Sequence, residues 1–231
     1  PRYQSDRGNR KPSPLAASGR LYLQGHHRLI GMDAHNGTIL WSKELPKMVR
    51  FNVPRDCSNW CCDLDDLFVA IENDCVRLDG TTGDVVQKYT ALPMDDRQMD
   101  WGFVARQGGL LLGSSVAPGS SFTDYWGKEA WYDAKEGEPA KKVASDLLFA
   151  LDPDSGHERW RYERGLILNP TISLSDDRIV FVECRSETLS SRPSRRLDGD
   201  ELWQNLYVVA LDLRTGEPLW EVQAQPMPGV A

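Results

Sequence analysis

The chain has 231 residues, 40% of them hydrophobic and 9% aromatic, enough apolar side chain for a sizeable core and too much for intrinsic disorder. Its net charge of -7 argues against a surface that neutralises nucleic-acid phosphates, and the one basic run, Arg2, Arg7, Arg10 and Lys11, reads as a solvated terminal segment. No apolar run approaches the roughly 18–20 residues needed to span a bilayer, and five cysteines (Cys57, Cys61, Cys62, Cys75, Cys184) are an odd number in a long chain rather than a disulfide framework. The sequence opens on Pro1 rather than Met, so it reads as processed or excised, and a missing leader carries no weight on compartment.

Four units of the same pattern follow one another. The first, 13–45, has short β-rich runs at 13–16 and 20–23 and then Asp33, Gly37 and Trp41. The second, 58–90, has runs at 59–62 and 67–70, then Asp79 and Gly83, with Gln87 where the Trp would stand. The third, 100–163, has runs at 100–104 and 110–112, an insertion at about 114–145, then Asp152, Gly156 and Trp160. The fourth, 169–223, has runs at 169–172 and 179–182, an insertion at about 184–204, then Asp212, Gly216 and Trp220. Each reads apolar residue, Asp, three residues, Gly, three residues, Trp. The Asp and the Asn, Thr or Ser before the Gly can bond the turn backbone, and Gly takes the φ > 0 position of a hairpin. With the two upstream runs, each unit becomes four short antiparallel strands, A to D, and the fold class is an all-β propeller with four blades. Both insertions fall between strands B and C.

The repeat resembles the tryptophan-docking motif of the quinoprotein (pyrroloquinoline-quinone-type) propellers, such as the quinoprotein alcohol dehydrogenases. The same repeat occurs in the outer-membrane β-barrel assembly lipoprotein, which has the fold without the quinone. The resemblance covers about 13–222. It implies rings of seven or eight blades, so four blades are a partial ring or a half that pairs. It also implies that Trp41, Trp160 and Trp220 pack between neighbouring blades, with the contact of the second blade in doubt at Gln87. An open arc exposes an apolar blade face at each end; the expected partners are missing blades, a second copy of the chain or another domain. By the same analogy the protein is extracytoplasmic, and periplasmic in bacteria.

In such a ring strand A lines the central channel, and the D–A and B–C connections share one face. The two insertions and the stretch 46–59 converge there, and loops on a rigid scaffold often carry function. The candidate ligand-binding residues are Arg55, Trp60, Cys61, Cys62, Asp63, Trp101, Asn169 and Arg185. The first insertion carries Phe122, Tyr125, Trp126, Trp131 and Tyr132, which form either a satellite core or a binding surface. Cys61 and Cys75 sit two strand steps apart, about 9–10 Å, beyond the roughly 7 Å limit for a disulfide; Cys57, on a loop, could reach either. Cys61-Cys62-Asp63 resembles the vicinal Cys-Cys-Asp of methanol-dehydrogenase-type quinoproteins, where the cysteines form a ring disulfide against the cofactor, but Leu64-Asp65-Asp66 departs from that family. The competing reading is two ordinary strand cysteines on opposite faces. Cys57, Cys61 and Cys75 make an incomplete zinc set, His26 and His27 read as a surface pair, and His35 and His157 fall on the opposite face.

The sequence thus points to a non-catalytic scaffold or binding module within a larger multidomain protein, with no catalytic residue, metal site or cofactor of its own and a protein or small-molecule ligand on the insertion face. One alternative is a fragment of a quinone- and calcium-dependent oxidoreductase using Cys61-Cys62-Asp63; another is an accessory propeller attached to an enzyme domain. No nucleic acid and no membrane span are expected.

Overall fold

The computed structural model describes residues 13–25, 27–48, 59–121, 142–197, 201 and 205–224. The basic run Arg2, Arg7, Arg10 and Lys11, together with His26, Arg55, Cys57 and the aromatics Phe122, Tyr125, Trp126, Trp131 and Tyr132, lies outside them.

The four Asp–Gly segments build one turn four times. Asp33 Oδ1 accepts the N–H groups of His35 and Asn36 at 2.8 and 3.2 Å, and Asp79 those of Thr81 and Thr82, both at 2.8 Å. Asp152 accepts from Asp154 and Ser155 at 3.1 and 2.9 Å, and Asp212 from Arg214 and Thr215, both at 2.9 Å. The N–H of Gly37, Gly83, Gly156 and Gly216 returns to the Asp carbonyl, with φ of 75°, 75°, 72° and 70°, which only glycine adopts freely. The residue before each glycine supplies a further acceptor to the N–H two positions on: Asn36, Thr82, Ser155 and Thr215. After each turn the ladder shifts at an equivalent bulge, and Gly31, Arg77, Ala150 and Ala210 pair with Trp41, Gln87, Trp160 and Trp220.

These turns close four antiparallel sheets. The first orders β1 (Leu15–Ala17), β2 (Arg20–Gly25), β3 (Arg28–Asp33) and β4 (Ile39–Glu44); the second orders β5 (Trp60–Cys62), β6 (Asp66–Ile71), β7 (Asp74–Asp79) and β8 (Val85–Thr90). The third has β9 (Asp100–Gln107) and β10 (Leu110–Val116), then β11 (Lys142–Ser145) inside the B–C connection, then β12 (Leu147–Leu151) and β13 (Glu158–Tyr162). Its blade order is β13-β12-β10-β9, and β11 leaves it for the fourth sheet. That sheet contains β14 (Leu166–Leu168), β15 (Ser173–Leu174), β16 (Arg178–Cys184), β17 (Arg196–Leu197), β18 (Leu206–Asp212) and β19 (Pro218–Gln223), with a short helix α1 (Glu187–Ser190) between β16 and β17. The chain is a partial propeller of four blades. The A–B and C–D turns lie at one end of every blade, and the B–C and D–A connections at the other.

The fourth blade departs from the expected start of its inner strand. Strand A begins at Leu166, and 169–172 is not strand: Asn169–Thr171 is a single 3-10 turn, after which β15 resumes the pairing with β16. Pro170 has no N–H to give a ladder, so the strand breaks there.

Strand alternation puts the core between blades. Tyr22, Leu29 and Trp41 pack on Trp60, Leu67 and Leu78 between blades 1 and 2. Phe68, Cys75 and Tyr89 pack on Trp101, Leu111 and Phe149 between blades 2 and 3. Leu112, Leu148 and Trp160 pack on Phe181, Val209 and Leu211 between blades 3 and 4.

Each blade is pinned to the next by one side chain reaching the carbonyl just after the next blade's turn Asp. Trp41 Nε1 donates to Gly80 O at 3.0 Å and Trp160 Nε1 to Leu213 O at 3.0 Å. Each indole also lies on the following turn glycine, so closely that a Cβ on Gly83 or Gly216 would sit 2.7 or 2.5 Å from the ring. At the second blade, where Gln87 replaces Trp, the work passes to Tyr89, two residues on: its hydroxyl donates to Pro153 O at 2.5 Å, and Arg77 Nη1 reaches the same carbonyl at 3.1 Å. Trp220 differs. No described blade follows it, and it is 43% exposed against 8% for Trp41 and 6% for Trp160.

Candidate functional site

The described parts of the two insertions are joined by strand pairing. From the first, β11 pairs with β14 of the fourth blade (Ala144 with Leu168, Ser145 with Ile167). On its other edge β11 pairs with β17 from the second (Lys142 with Leu197, Val143 with Arg196). The inner edge of blade 4 therefore continues through a strand of each insertion. Leu189 of α1 and Leu197 of β17 cover Leu166, Leu168, Cys184 and Leu206, forming a small core on the face of blade 4 turned away from blade 3.

A buried ion pair locks this layer. Arg195 Nη2 lies 2.6 Å from Asp146 Oδ1, with side chains only 5% and 4% exposed. The same guanidinium donates to the carbonyls of Ser190 and Arg192, and the Arg195 N–H donates to Ser120 Oγ at 3.2 Å. Under β11 a polar knot joins blades 3 and 4. Ser145 donates to Asn169 Oδ1 at 2.7 Å, while Ser114 Oγ lies 2.8 Å from Ser145 Oγ and accepts the Phe103 N–H at 2.8 Å. Gly102 makes room for the knot, since a Cβ there would fall 2.5 Å from both serine oxygens. Where the insertions meet, Pro118, Gly119, Ser120, Pro193, Ser194 and Arg196 line an open cleft of about 290 Å³. Its polar side chains are two serines and the Arg196 guanidinium, which donates to Ser120 O at 2.8 Å.

The residues read from the sequence as one ligand surface are dispersed. Trp60 is buried between blades 1 and 2, and Trp101, fully buried between blades 2 and 3, donates to Tyr89 O at 3.3 Å and meets Phe149 edge-on at 5.0 Å. Asn169 belongs to the polar knot. Arg185 is held at the joint between blades 3 and 4, where it bonds both oxygens of Glu221 at 3.0 and 2.7 Å, reaches the fully buried Glu183 at 2.6 Å and lies 4.0 Å over the Tyr207 ring. The Glu221 bonds, with Glu183, hold the guanidinium firmly charged. Burial and the neighbouring Glu183, which accepts its hydroxyl at 2.9 Å, push the Tyr162 phenol up.

Cys61 and Cys62 take opposite faces of β5, Cys61 toward the blade 2–3 core and Cys62 toward the blade 1–2 core, and both thiols are free. Burial pushes the thiols of Cys61, Cys62 and Cys75 up, which disfavours the thiolate form that nucleophilic or redox chemistry uses. Asp63 is not on the insertion face. It forms the A–B turn at the other end of the blade, bonds the N–H groups of Asp65 and Asp66, and pairs with Arg106 at 3.1 Å. As placed, Cys61, Cys62 and Asp63 offer no common surface to a quinone ring and do not fit that group. Among the described residues no set of three or more His, Cys, Asp or Glu side chains is arranged to hold a metal ion.

Three features were not singled out in the sequence: the Arg195–Asp146 pair, the two serines that join Asn169 in the polar knot, and, at the joint of blades 2 and 3, Tyr89. A signal existed for the first alone, in three arginines within 192–196 of an acidic chain.

No protein-family model matches the chain, and no curated protein matches it in sequence. Solved structures do match in fold. A quinohemoprotein alcohol dehydrogenase of Pseudomonas putida HK5 superposes with a TM-score of 0.60 at 15% identity, covering 94% of this chain and 34% of that one. A europium-containing methanol dehydrogenase gives 0.53 at 15% identity, covering 91% and 41%. The WD40 domain of Pan2 from Neurospora crassa gives 0.53 at 15% identity, covering 92% and 52%. The chain thus spans between a third and about half of these chains' lengths, and its fold is that of an arc of a β-propeller, similar to those of quinoprotein dehydrogenases and of a WD40 domain.

Proposed function

We propose that the chain is a non-catalytic arc of a larger propeller that holds a protein segment on the face carrying the B–C insertions and D–A connections. The observation that carries this reading is the single layer made by β11, β17 and α1, which ties both insertions to each other and to two blades beside an open cleft. Loops fixed on a rigid scaffold are a common place for binding. Two prolines and the exposed Ser194 hydroxyl beside them suit an extended peptide, whose backbone carbonyls that hydroxyl can meet. The buried chemistry argues in the same direction: the thiols of Cys61 and Cys75 are held protonated, and Asp63 and Glu183 are engaged by arginines. The likeness in fold to quinoprotein propellers supports an extracytoplasmic location, and no helix among the described residues is long and apolar enough to cross a membrane.

Selection of a displayed peptide library on the purified chain, with hits mapped by amide exchange, tests the binding face. Protection at 117–121 and 186–197 is the expected result; protection confined to the C–D turns at the opposite end contradicts the reading. Titration with pyrroloquinoline quinone and calcium tests the absence of catalysis. The expected result is an unchanged quinone spectrum, and a change abolished by Cys61→Ser/Cys62→Ser overturns it.

A further inference from the structure

The four C–D turns share their aspartate and their glycine, but not the residue before the glycine. Three turns place a hydroxyl there, Thr82, Ser155 and Thr215; the first places the carboxamide of Asn36. All four do the same structural work, accepting the N–H two positions on, in the first turn from Thr38 to Asn36 Oδ1 at 2.8 Å. Only the carboxamide adds an electrophilic carbon. The next backbone nitrogen belongs to Gly37, where no side chain hinders its approach.

We propose that Asn36 is a site of covalent self-modification, deamidation through the Gly37 nitrogen, with water as the only co-reactant. Gly37 N bonds to Asn36 Cγ, and its proton passes through solvent to the departing side-chain amide, which leaves as ammonia. Water then opens the resulting cyclic imide at either carbonyl, giving aspartate or isoaspartate with no oxidation or reduction. In the closed turn Gly37 N–H donates to Asp33 O at 2.9 Å, and Asp33 Oδ1 holds the N–H groups of His35 and Asn36. The nitrogen attacks only when this turn opens, so Asp33 sets the rate.

Asn36 is exposed, and so are Thr82, Ser155 and Thr215, although side chains of the preceding blade lie on the glycines beside them. Exposure at this position therefore does not depend on what precedes blade 1. The other asparagines of the described residues lack the combination. Asn59 and Asn169 are buried, and Pro170 after Asn169 has no N–H to give up. Asn73 and Asn205 precede Asp74 and Leu206, whose side chains crowd the nitrogen. Asp79-Gly80 offers a carboxylate, a far weaker electrophile, and Gly80 is buried with its N–H on Asp65 O at 2.7 Å.

The isoaspartate product routes the main chain through the former side-chain methylene. That lengthens the turn where Asp33 N–H meets Thr38 O at 2.8 Å and Gly37 N–H meets Asp33 O. The β3–β4 hairpin loses its closure, and with it the placement of Trp41, whose indole reaches Gly80 O from β4. One slow reaction thus loosens blade 1 and its joint to blade 2 while the other blades stay closed.

Incubation of the purified chain at mildly alkaline pH, followed by peptide mapping with mass spectrometry, tests this. The peptide 29–43 should gain the mass of exchanging NH2 for OH, with isoaspartate at position 36, ahead of every other asparagine. Asn36→Thr, the residue of the second and fourth turns, should keep the peptide unchanged. Asp33→Ala should speed conversion several-fold in the folded chain and leave it unaltered in urea. Should that variant not fold, the wild type carries the same test, since it should convert several-fold faster in urea than folded. In the isoaspartate-bearing chain, separated by ion exchange, amides of β3 and β4 should lose protection while those of β6, β7, β10 and β12 keep theirs. Conversion at Asn73 or Asn205 without conversion at Asn36, equal wild-type rates folded and in urea, or an isoaspartate chain with β3 and β4 still protected would overturn the proposal.

Discussion

Asp79 and Asp212 show how one atom fixes a turn. The backbone N–H groups of Thr82 and Thr81 hold the Asp79 carboxyl below its ordinary range, and those of Thr215 and Arg214 do the same for Asp212. Because the folded values are depressed, the stabilisation is complete above the unfolded carboxylate value, about pH 4. It is lost as the pH falls through the lower folded values. Thermal melts between neutral pH and pH 3 should show this loss, and Asp79→Asn/Asp212→Asn should flatten the acid limb. Tyr89 makes the residue-scale case for substitution out of register. Tyr89→Phe removes one of the two donors to Pro153 O and should cost about 0.5–1.5 kcal/mol in urea unfolding. A larger loss is expected when Arg77→Met is added, because the buried carbonyl is then left without a donor. The Asp and Gly positions were legible in the sequence because the turn consumes each of them directly. Tyr89 was not, since the pattern marks position 87 and an aromatic two residues later reads as ordinary core.

At the scale of elements, the third and fourth blades are joined twice, once by the Trp160 joint and once by the strand layer of the insertions. Arg195 is the residue on which that layer depends. Arg195→Ala leaves Asp146 buried without its partner, and breaking a buried pair on one side costs about 3–5 kcal/mol. Amide exchange should then show β11 and β17 losing protection while β2, β3, β6 and β7 keep theirs; uniform exchange across all blades would mean that the layer is no separate unit. None of this pairing was readable beforehand. Strands of two to four residues inside a long insertion carry no usable period, and the partner of β11 lies on another blade. The inner strand of blade 4 was misread for a related reason: Asn169-Pro170 stands where other units begin strand A, yet proline cannot serve the ladder and marks a break instead.

For the whole molecule, the repeat makes stability a matter of joints. The core is not one mass but three layers, each shared by two neighbouring blades, beside the small cluster under α1 and β17, and each joint adds a hydrogen bond donated by a buried indole or phenol. The blade count and the open ends followed from the Asp, Gly and Trp spacing, because that spacing repeats the unit that must be buried. The expected ligand surface did not follow, because Trp60, Cys61 and Trp101 face blade cores and Asp63 lies in an A–B turn at the far end of its blade. The measurement that bears most directly on a radial arc of blades is urea unfolding of Trp160→Ala beside Trp220→Ala at a concentration where the chain is monomeric. The account predicts a loss of about 3–5 kcal/mol for Trp160→Ala and less than about 0.5 kcal/mol for Trp220→Ala; equal losses at the two positions would contradict it.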